Sequence, residues 1–406
     1  MINTQDFFKS KRPWSILKDG ILDYYLTPYT SKLLYSGAPL VIIDCFAGKG
    51  RFEDGAIGSP IIIGKHLKDI IEKDPRSKIK AFFIEKKYFN ELAGNMKGFK
   101  NCEVINGAYE SSMQDILKLP KEINLFMYID PYGIKNLDFD FFDQLKNRGF
   151  HSFEFLINFN AFGFLREGCN KIKNYCELFP DEVEDESVQL DDYYSDEKDA
   201  IGNLDKIAGG DYWQGILKEY YNKNLLTKSK INMLKAEEFF VAEYMNRHRK
   251  LFKYVVNVPI KKKIDNIPKY RMIFGTDHED GLLLMTKSMN TAWGKIVQKA
   301  TGGQGILFEQ FTYPSLTQYS SEIDIKKDIL GILHDDGSQI SIKDLLVKMI
   351  CLHGIVFSDK EYMEVIKSME GQEIDINRFP PLTPKTNKPS RSYDYNKLSI
   401  FVGKKA

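Results

Sequence analysis

The chain is poor in the features that mark membrane, secreted and zinc-stapled proteins. Among 406 residues it has five cysteines, at 45, 102, 169, 176 and 351, an odd and scattered set without a Cys-x-x-Cys pair. Neither a disulfide framework nor a structural zinc site is indicated, and no metal is expected. No apolar run reaches the roughly 20 residues of a membrane helix. The first residues, "MINTQDFFKSKRPWSILKDG", lack the apolar centre of a signal peptide. A cytoplasmic protein without a membrane partner is expected. Also missing are Gly-x-Ser-x-Gly and Gly-x-x-x-x-Gly-Lys-Ser/Thr elements, and a Pro-Cys nucleophile on the fourth predicted strand. Serine-hydrolase, P-loop and cytosine-C5 chemistries lose their usual signatures.

Net charge is also small, at +1, which neither demands nor excludes a nucleic-acid partner. The distribution says more. Residues 177–199 hold eleven Asp or Glu against one Lys, whereas Arg247 to Arg271 holds nine Lys or Arg against one Asp. The basic run places Arg247, Arg249, Lys261, Lys262, Lys263, Lys269 and Arg271 on a helix end, two strands and their connection. They are candidates for contacts to RNA or DNA phosphates, the alternative being a solvated rim paired with the acidic run.

What is present is a regular alternation. A leading helix, "WSILKDGILDYYLTPYTSKLLY", precedes strands and helices in turn: "LVIIDCF", "SPIIIGKHLKDIIEK", "KIKAFFIEK", "YFNELAGNMKG", "CEVINGA", "SSMQDILKL", "NLFMYIDPYG", "LDFDFFDQLKN" and "SFEFLINFN". Short, almost continuously apolar strands with helical crossovers predict a doubly wound α/β domain with a mostly parallel sheet. The alternation breaks after Phe164, and residues 165–230 read as an acidic insertion, helical in part around "DYWQGILKEYYNK". A helix and the strands "FKYVVNVPI" and "KYRMIFGT" then complete a sheet of about seven strands. The expected division is a helical lead-in over 1–40, the α/β domain over 41–164 and 231–310, the insertion over 165–230, and a winged-helix-like domain over 315–406. The last rests on three short amphipathic helices followed by a proline-rich basic stretch and a terminal strand.

Two stretches carry chemistry. In "DCFAGKG", Gly48 and Gly50 allow backbone to approach a ligand, because neither has a Cβ. The third glycine of a dinucleotide fingerprint is missing, and the next helix waits until Ser59-Pro60. Asp44 at the strand end favours a ligand with a positive centre, such as S-adenosylmethionine, which carries a sulfonium and no phosphate. Glu85, closing the second strand, suits two ribose hydroxyls, as it would in NAD. The second stretch is "FMYIDPYG". A carboxylate at Asp130 with neighbouring carbonyls can accept both hydrogens of an exocyclic amine, while Tyr132 stacks on the base. Asp-Pro-Pro-Tyr motifs serve amino-group methylation in this way; Pro131 is present here and the second proline is not. An ordinary strand-to-loop turn is the alternative at each place.

Taken in order, "KDGILDYYLTPY", "DCFAGKGRFEDGAIGSP", "YIDPYG" and "YRMIFGTDHEDGLLLM" resemble the three-Cys-motif partner protein family (TcmP), over about residues 14–295. The resemblance implies a Rossmann-like class I methyltransferase domain and a companion protein bearing a three-cysteine motif. Residue by residue it carries over Asp44, Phe46, Ala47, Gly48 and Gly50 as the cofactor loop, Gly58, Ser59 and Pro60 as the helix start, and Asp130, Pro131, Tyr132 and Gly133 as the acceptor turn. Asn106 and Gly107, after the third strand, are expected near the adenine. The resulting expectation is a methyltransferase using S-adenosylmethionine on an amino group of a nucleic-acid base. A catalytically silent, cofactor-binding partner subunit and a methyltransferase for protein or small molecules stay open beside it.

Overall fold

The computed structural model describes residues 11–131, 133–134, 137–172, 197–227, 230–261, 268–301, 323–383 and 387–405. The leading helix α1 (Pro13–Tyr35) buries Leu17, Ile21, Leu22, Tyr25 and Leu26, the stripe its helical spacing predicts. The α/β alternation follows as β1 (Leu40–Asp44), α2 (Ser59–Lys73), β2 (Ile79–Glu85), α3 (Phe89–Met96), β3 (Cys102–Asn106), α4 (Tyr109–Ile116), β4 (Asn124–Ile129), α5 (Asp140–Arg148) and β5 (Ser152–Phe159). Strands β6 (Tyr254–Ile260) and β7 (Tyr270–Thr276) complete the sheet.

The seven strands lie in the order β3-β2-β1-β4-β5-β7-β6. The first five are parallel, β7 runs antiparallel to β5, and β6 antiparallel to β7. Every residue of β1 and of β4 is buried, whereas edge strand β3 has none buried. That gradient explains the continuous apolar runs of the central strands: helices cover both of their faces. One face packs against α1, α2 and α10 (Glu279–Thr301), the other against α4, α5 and the helices after β5.

Those later helices depart from the expected insertion. Helices α6 (Ala161–Lys171) and α7 (Glu197–Ala208) were not visible in the alternation, and the expected boundary at 164 falls inside α6. Asn160 caps α6 by accepting from Gly163 N–H at 2.8 Å, and Phe162, Phe164, Leu165 and Cys169 pack beneath it. With α8 (Tyr212–Thr227) and α9 (Lys230–His248) they form one wall of the core, where Trp213 and Leu217 are fully buried. The acidic run lies, up to residue 196, outside the described residues.

The carboxy-terminal segment forms α11 (Ile325–Ile332), β8 (Ile340–Ser341), α12 (Ile342–His353), α13 (Asp359–Met369), β9 (Ile374–Phe379) and β10 (Ser399–Lys404). Its small antiparallel sheet has the order β8-β10-β9. Ser358 and Glu361 make a capping box at the start of α13. Lys343 pairs with Asp280 at 2.8 Å, tying α12 to the start of α10. Among the described residues no helix is long and apolar enough to cross a membrane.

Candidate active site

Strand β1 neighbours both β2 and β4, so the connections leaving it diverge and open a crevice at the strand carboxyl ends. A cleft of about 350 Å³ stands there. The turn after β1, Glu85, Gly107, Asp130, Pro131, Gly133, Asn158, Asn160 and Tyr270 all line it. So do Arg12, Trp14, Ser15, Lys18 and Asp19. Helix α1 enters the cleft because it leads into β1 from the far end of the sheet, leaving its own first turns beside the strand carboxyl ends.

The glycine turn has the conformation its sequence predicts. Gly48 and Gly50 sit at φ 61° and 75°, a region that disfavours side chains. A Cβ on Gly50 would stand 3.1 Å from Leu92, against helix α3. Gly48 N–H donates to Glu85 Oε2 at 2.9 Å, and Gly58 N–H returns to the Gly50 carbonyl at 2.9 Å. Glu85 Oε1 accepts from Lys87 N–H and Tyr88 N–H at 2.7 and 2.9 Å, so this carboxylate organises both turns. Phe46 and Ala47 line the cleft, with Ala47 buried. Asn106 is exposed and outside the lining, while its neighbour Gly107 is part of it.

Asp44 stands behind the cleft wall instead of projecting into it. It is fully buried, and its carboxyl accepts from Ser59 Oγ at 2.6 Å and from Phe46 N–H at 3.3 Å. Burial outweighs these bonds and pushes its pKa up to about 7. Its geometric role is to brace the turn against the start of α2. Gly58 and Ser59 line the cleft at that helix start with no side chain capping it, while Pro60 offers no N–H and the Asp44 carboxyl stands behind the Ser59 hydroxyl, which disfavours a phosphate there.

The acceptor side is more heavily built than its sequence signal indicates. Lys18 Nζ donates to both carboxylate oxygens of Asp130, at 2.8 and 2.7 Å. Asn158 Nδ2 donates to Asp130 Oδ1 at 2.8 Å. A carboxylate accepts only, which fixes the amide orientation and leaves Asn158 Oδ1 facing elsewhere; that buried oxygen has no hydrogen-bond partner. Tyr128 OH also donates to Oδ2, weakly at 3.5 Å, so of the usual four acceptor positions of Asp130 three are firmly taken and the fourth only loosely. Asp19 beside it pairs with Lys11, and burial nonetheless raises its carboxyl above the usual range. Tyr132 lies outside the described residues.

Lys18, Trp14, Asn158, Asn160 and Tyr270 are the residues that the strand-end motifs did not reveal. A signal existed for two of them. Lys18 interrupts an apolar helical face, between Trp14 and Ile21, and Asn158 is a polar residue four after Glu154 in an otherwise apolar strand.

The basic run is not gathered on one surface among the described residues. Arg271 forms a buried fork with Glu237 on α9, at 2.8 and 2.5 Å, and also donates to Asn257 Oδ1. Arg247 stacks its guanidinium 4.2 Å over Tyr212. Lys261 is buried, and Arg249 is exposed at the end of α9. Lys269 turns to the opposite side of the sheet, its ammonium 3.7 Å over the Trp14 ring at the cleft. Alternation would put Lys269 on the face of Arg271, two residues on, but Lys269 precedes the first residue of β7 and is not held by it. Lys262 and Lys263 lie outside the described residues.

No protein-family model and no curated protein matches the chain. Among solved structures, a Legionella pneumophila protein assigned to the DUF519 family model is similar at 17% identity and a TM-score of 0.27, covering 37% of this chain and 69% of that one. A likeness of that size carries neither fold nor function.

Proposed function

We propose that the chain is a methyltransferase-like protein that uses S-adenosylmethionine and acts on an amino group of a nucleic-acid base. The observation that carries the reading is the meeting, in one cleft, of the Gly48–Gly50 turn, Glu85 and the Asp130-Pro131 strand end. The sheet order supports it. An antiparallel β7 between β5 and β6 is the arrangement expected of class I methyltransferases, and it departs from the 3-2-1-4-5-6 order of dinucleotide folds. The resemblance to TcmP proteins points the same way.

The residues fit such a cofactor. Glu85 lies in the lining where ribose hydroxyls could compete for its oxygens, Gly48 and Gly50 keep the turn open, and the helix start that a pyrophosphate would need lacks an N–H at Pro60 and has the Asp44 carboxyl behind Ser59. When bound, the cofactor would supply an activated methyl group: an N–C bond forms as the S–C bond breaks, the electron pair stays on sulfur, and the amine releases one proton to solvent. The chain's own part is alignment, which brings reacting atoms to about 3 to 3.5 Å. Asp130, fixed by Lys18 and Asn158, would accept one amine hydrogen and the Pro131 carbonyl the other. Calorimetry with S-adenosylhomocysteine tests the reading. Binding weakened by Glu85→Ala, with no heat from NAD, is expected; preference for NAD would end it.

One observation favours a second reading, a catalytically silent cofactor-binding partner of a three-cysteine-motif protein. Lys18 and Asn158 already take most of the hydrogen-bonding capacity of Asp130. Methyl incorporation from labelled cofactor into total RNA, DNA or protein separates the two. The carboxy-terminal unit belongs to the proposal as a winged helix, on its order of helix, short strand, two helices and hairpin. Its α13 carries Asp359, Glu361 and Glu364 against Lys360 and Lys367, which opposes insertion along a phosphate backbone and suits a protein contact or a lid. Of the basic residues in its hairpin, Lys388 and Arg391 are described and Lys385 is not.

A further inference from the structure

We infer that Asp19, in the second turn of α1, holds the ammonium at the amino-acid end of the cofactor, the part that strand-end position alone would give to Asp44. The inference rests on the S-adenosylmethionine reading above and deepens it. Asp44 cannot serve, because it stands behind the cleft wall with Ser59 and Phe46 on its carboxyl. Three acids line the cleft, Asp19, Glu85 and Asp130, and they differ in what they have left to offer. Glu85 accepts from three backbone N–H groups. Asp130 takes two bonds from Lys18, one from Asn158 and a weak one from Tyr128. Asp19 pairs with Lys11 alone among the described residues, at 2.5 Å and through Oδ2. Its second oxygen is the acceptor that remains.

One cation does not balance this carboxyl. Asp19 is 7% exposed, and burial raises its carboxyl above the usual range although Lys11 and Lys18 both pull it down. A second cation in contact would oppose that rise, and a ligand ammonium brings one together with three donor hydrogens. Asn158, also in the lining, has a buried Oδ1 without a partner, so this part of the cleft is short of donors. Position agrees with the chemistry. Glu85 closes β2, the glycine turn leaves β1 and Asp130 follows β4, so the cleft crosses two strand spacings, about 10 Å. With the ribose at Glu85, the amino-acid end of the cofactor would run along the glycine turn toward the β4 side. Helix α1 overhangs that side, since Lys18, next to Asp19 in the chain, reaches Asp130. Lys11 holds Asp19 from outside the lining, and its Nζ also donates to the Ile57 carbonyl at 2.7 Å.

The test is calorimetry with three ligands: S-adenosylhomocysteine, its analogue lacking the amino group, and methylthioadenosine, which lacks the whole amino-acid end. Wild type should bind S-adenosylhomocysteine at least about tenfold more tightly than the analogue without the amino group. Asp19→Asn should remove most of that preference, weakening S-adenosylhomocysteine by about tenfold and leaving the other two ligands within about twofold of wild type. Unchanged binding of methylthioadenosine also shows that the variant folds. Lys11→Met separates a ligand contact from a brace: it removes the existing partner of Asp19 and should spare the preference for the amino group. A wild type without that preference, an Asp19→Asn variant that keeps it, or an equal loss of it in Lys11→Met overturns the inference while the cofactor reading stands. Equal weakening of all three ligands by Asp19→Asn overturns it too, by making Asp19 a structural residue. Failure of wild type to bind either S-adenosylhomocysteine or methylthioadenosine removes the cofactor reading itself, and the inference with it.

Discussion

Helix α1 is fastened to the sheet at two polar points of similar make, and their differences separate a site from a staple. At the first, Lys18 donates to Asp130, which also accepts from Asn158. At the second, Tyr25 OH donates to Glu154 at 2.5 Å, and Thr276 Oγ1 does the same from β7. Lys18 and Tyr25 are two helical turns apart, about 10 Å, and Asn158 and Glu154 share one face of β5. The Asp130 side chain keeps 23% of its surface open at the cleft and faces a cation, whereas Glu154 is 3% exposed and meets only hydroxyls. A carboxylate paired with a cation at the cleft edge stays within reach of a ligand. One sealed among neutral donors has its pKa pushed up to about 7 by burial, against which the two hydroxyl bonds only partly act.

Deleting the two carboxyls in turn should break the comparison most sharply. Under the proposed function, in which its side chain would serve the acceptor, Asp130→Ala is expected to lower methyl transfer by about a hundredfold or more while leaving affinity for S-adenosylhomocysteine nearly unchanged. Equal loss of both would reduce Asp130 to a structural turn. Glu154→Ala should leave cofactor affinity alone and cost about 3 kcal/mol of stability, read from urea midpoints. It strands the hydroxyls of Tyr25 and Thr276 in the interior and leaves a cavity. A loss under about 1 kcal/mol would show that the core closes over the site.

How far the sequence disclosed this arrangement follows from the same contrast. The parallel core was legible because each central strand is apolar along its whole length, as in "LVII" and "LFMYI", and helices cover both faces. The glycine turn was legible because positive φ has a residue signature at Gly48 and Gly50. Hidden were the partners that topology supplies from a distance. Lys18 meets Asp130 across 112 residues, and no local pattern encodes that meeting. Strand-end acids look alike in sequence, yet Glu85 enters the cleft while Asp44 turns inward to Ser59. Helices α6 and α7 were hidden for another reason: they adjoin an acidic run whose composition masks the apolar face that α6 buries through Phe164 and Leu165.

Removing only the α1 partner at each point gives a finer comparison. Lys18→Met should lower transfer by about tenfold while costing about 1–3 kcal/mol, because water can reach the Asp130 side of the pair. Lys18→Arg, whose planar fork also matches a carboxylate, should recover much of the activity. Tyr25→Phe should cost about 1 kcal/mol and leave transfer untouched, since Glu154 keeps its Thr276 bond. Loss of transfer in Tyr25→Phe, with stability accounted for, would mean that the two points are coupled through α1 and cannot be read separately.

The smallest effect is a slope against pH. Glu154 has its pKa raised from 4.5 unfolded to about 7 in the fold, chiefly by burial, with the hydrogen bonds from Thr276 and Tyr25 acting in the opposite direction. Between those values the folded chain binds the proton that the unfolded chain has released. Stability contributed by this group is therefore present below about pH 4.5 and is lost as pH rises toward 7. Asp44 has the same sign, from 3.8 to about 7, so the two add in wild type. Glu154→Gln cannot titrate, and its amide can still meet both hydroxyls if one of them turns to accept. Urea denaturation across this window should therefore show the stability difference, wild type minus Glu154→Gln, shrinking steadily as pH rises. A difference that is flat, or that grows with pH, would mean that Glu154 is ionised in the fold in spite of its burial.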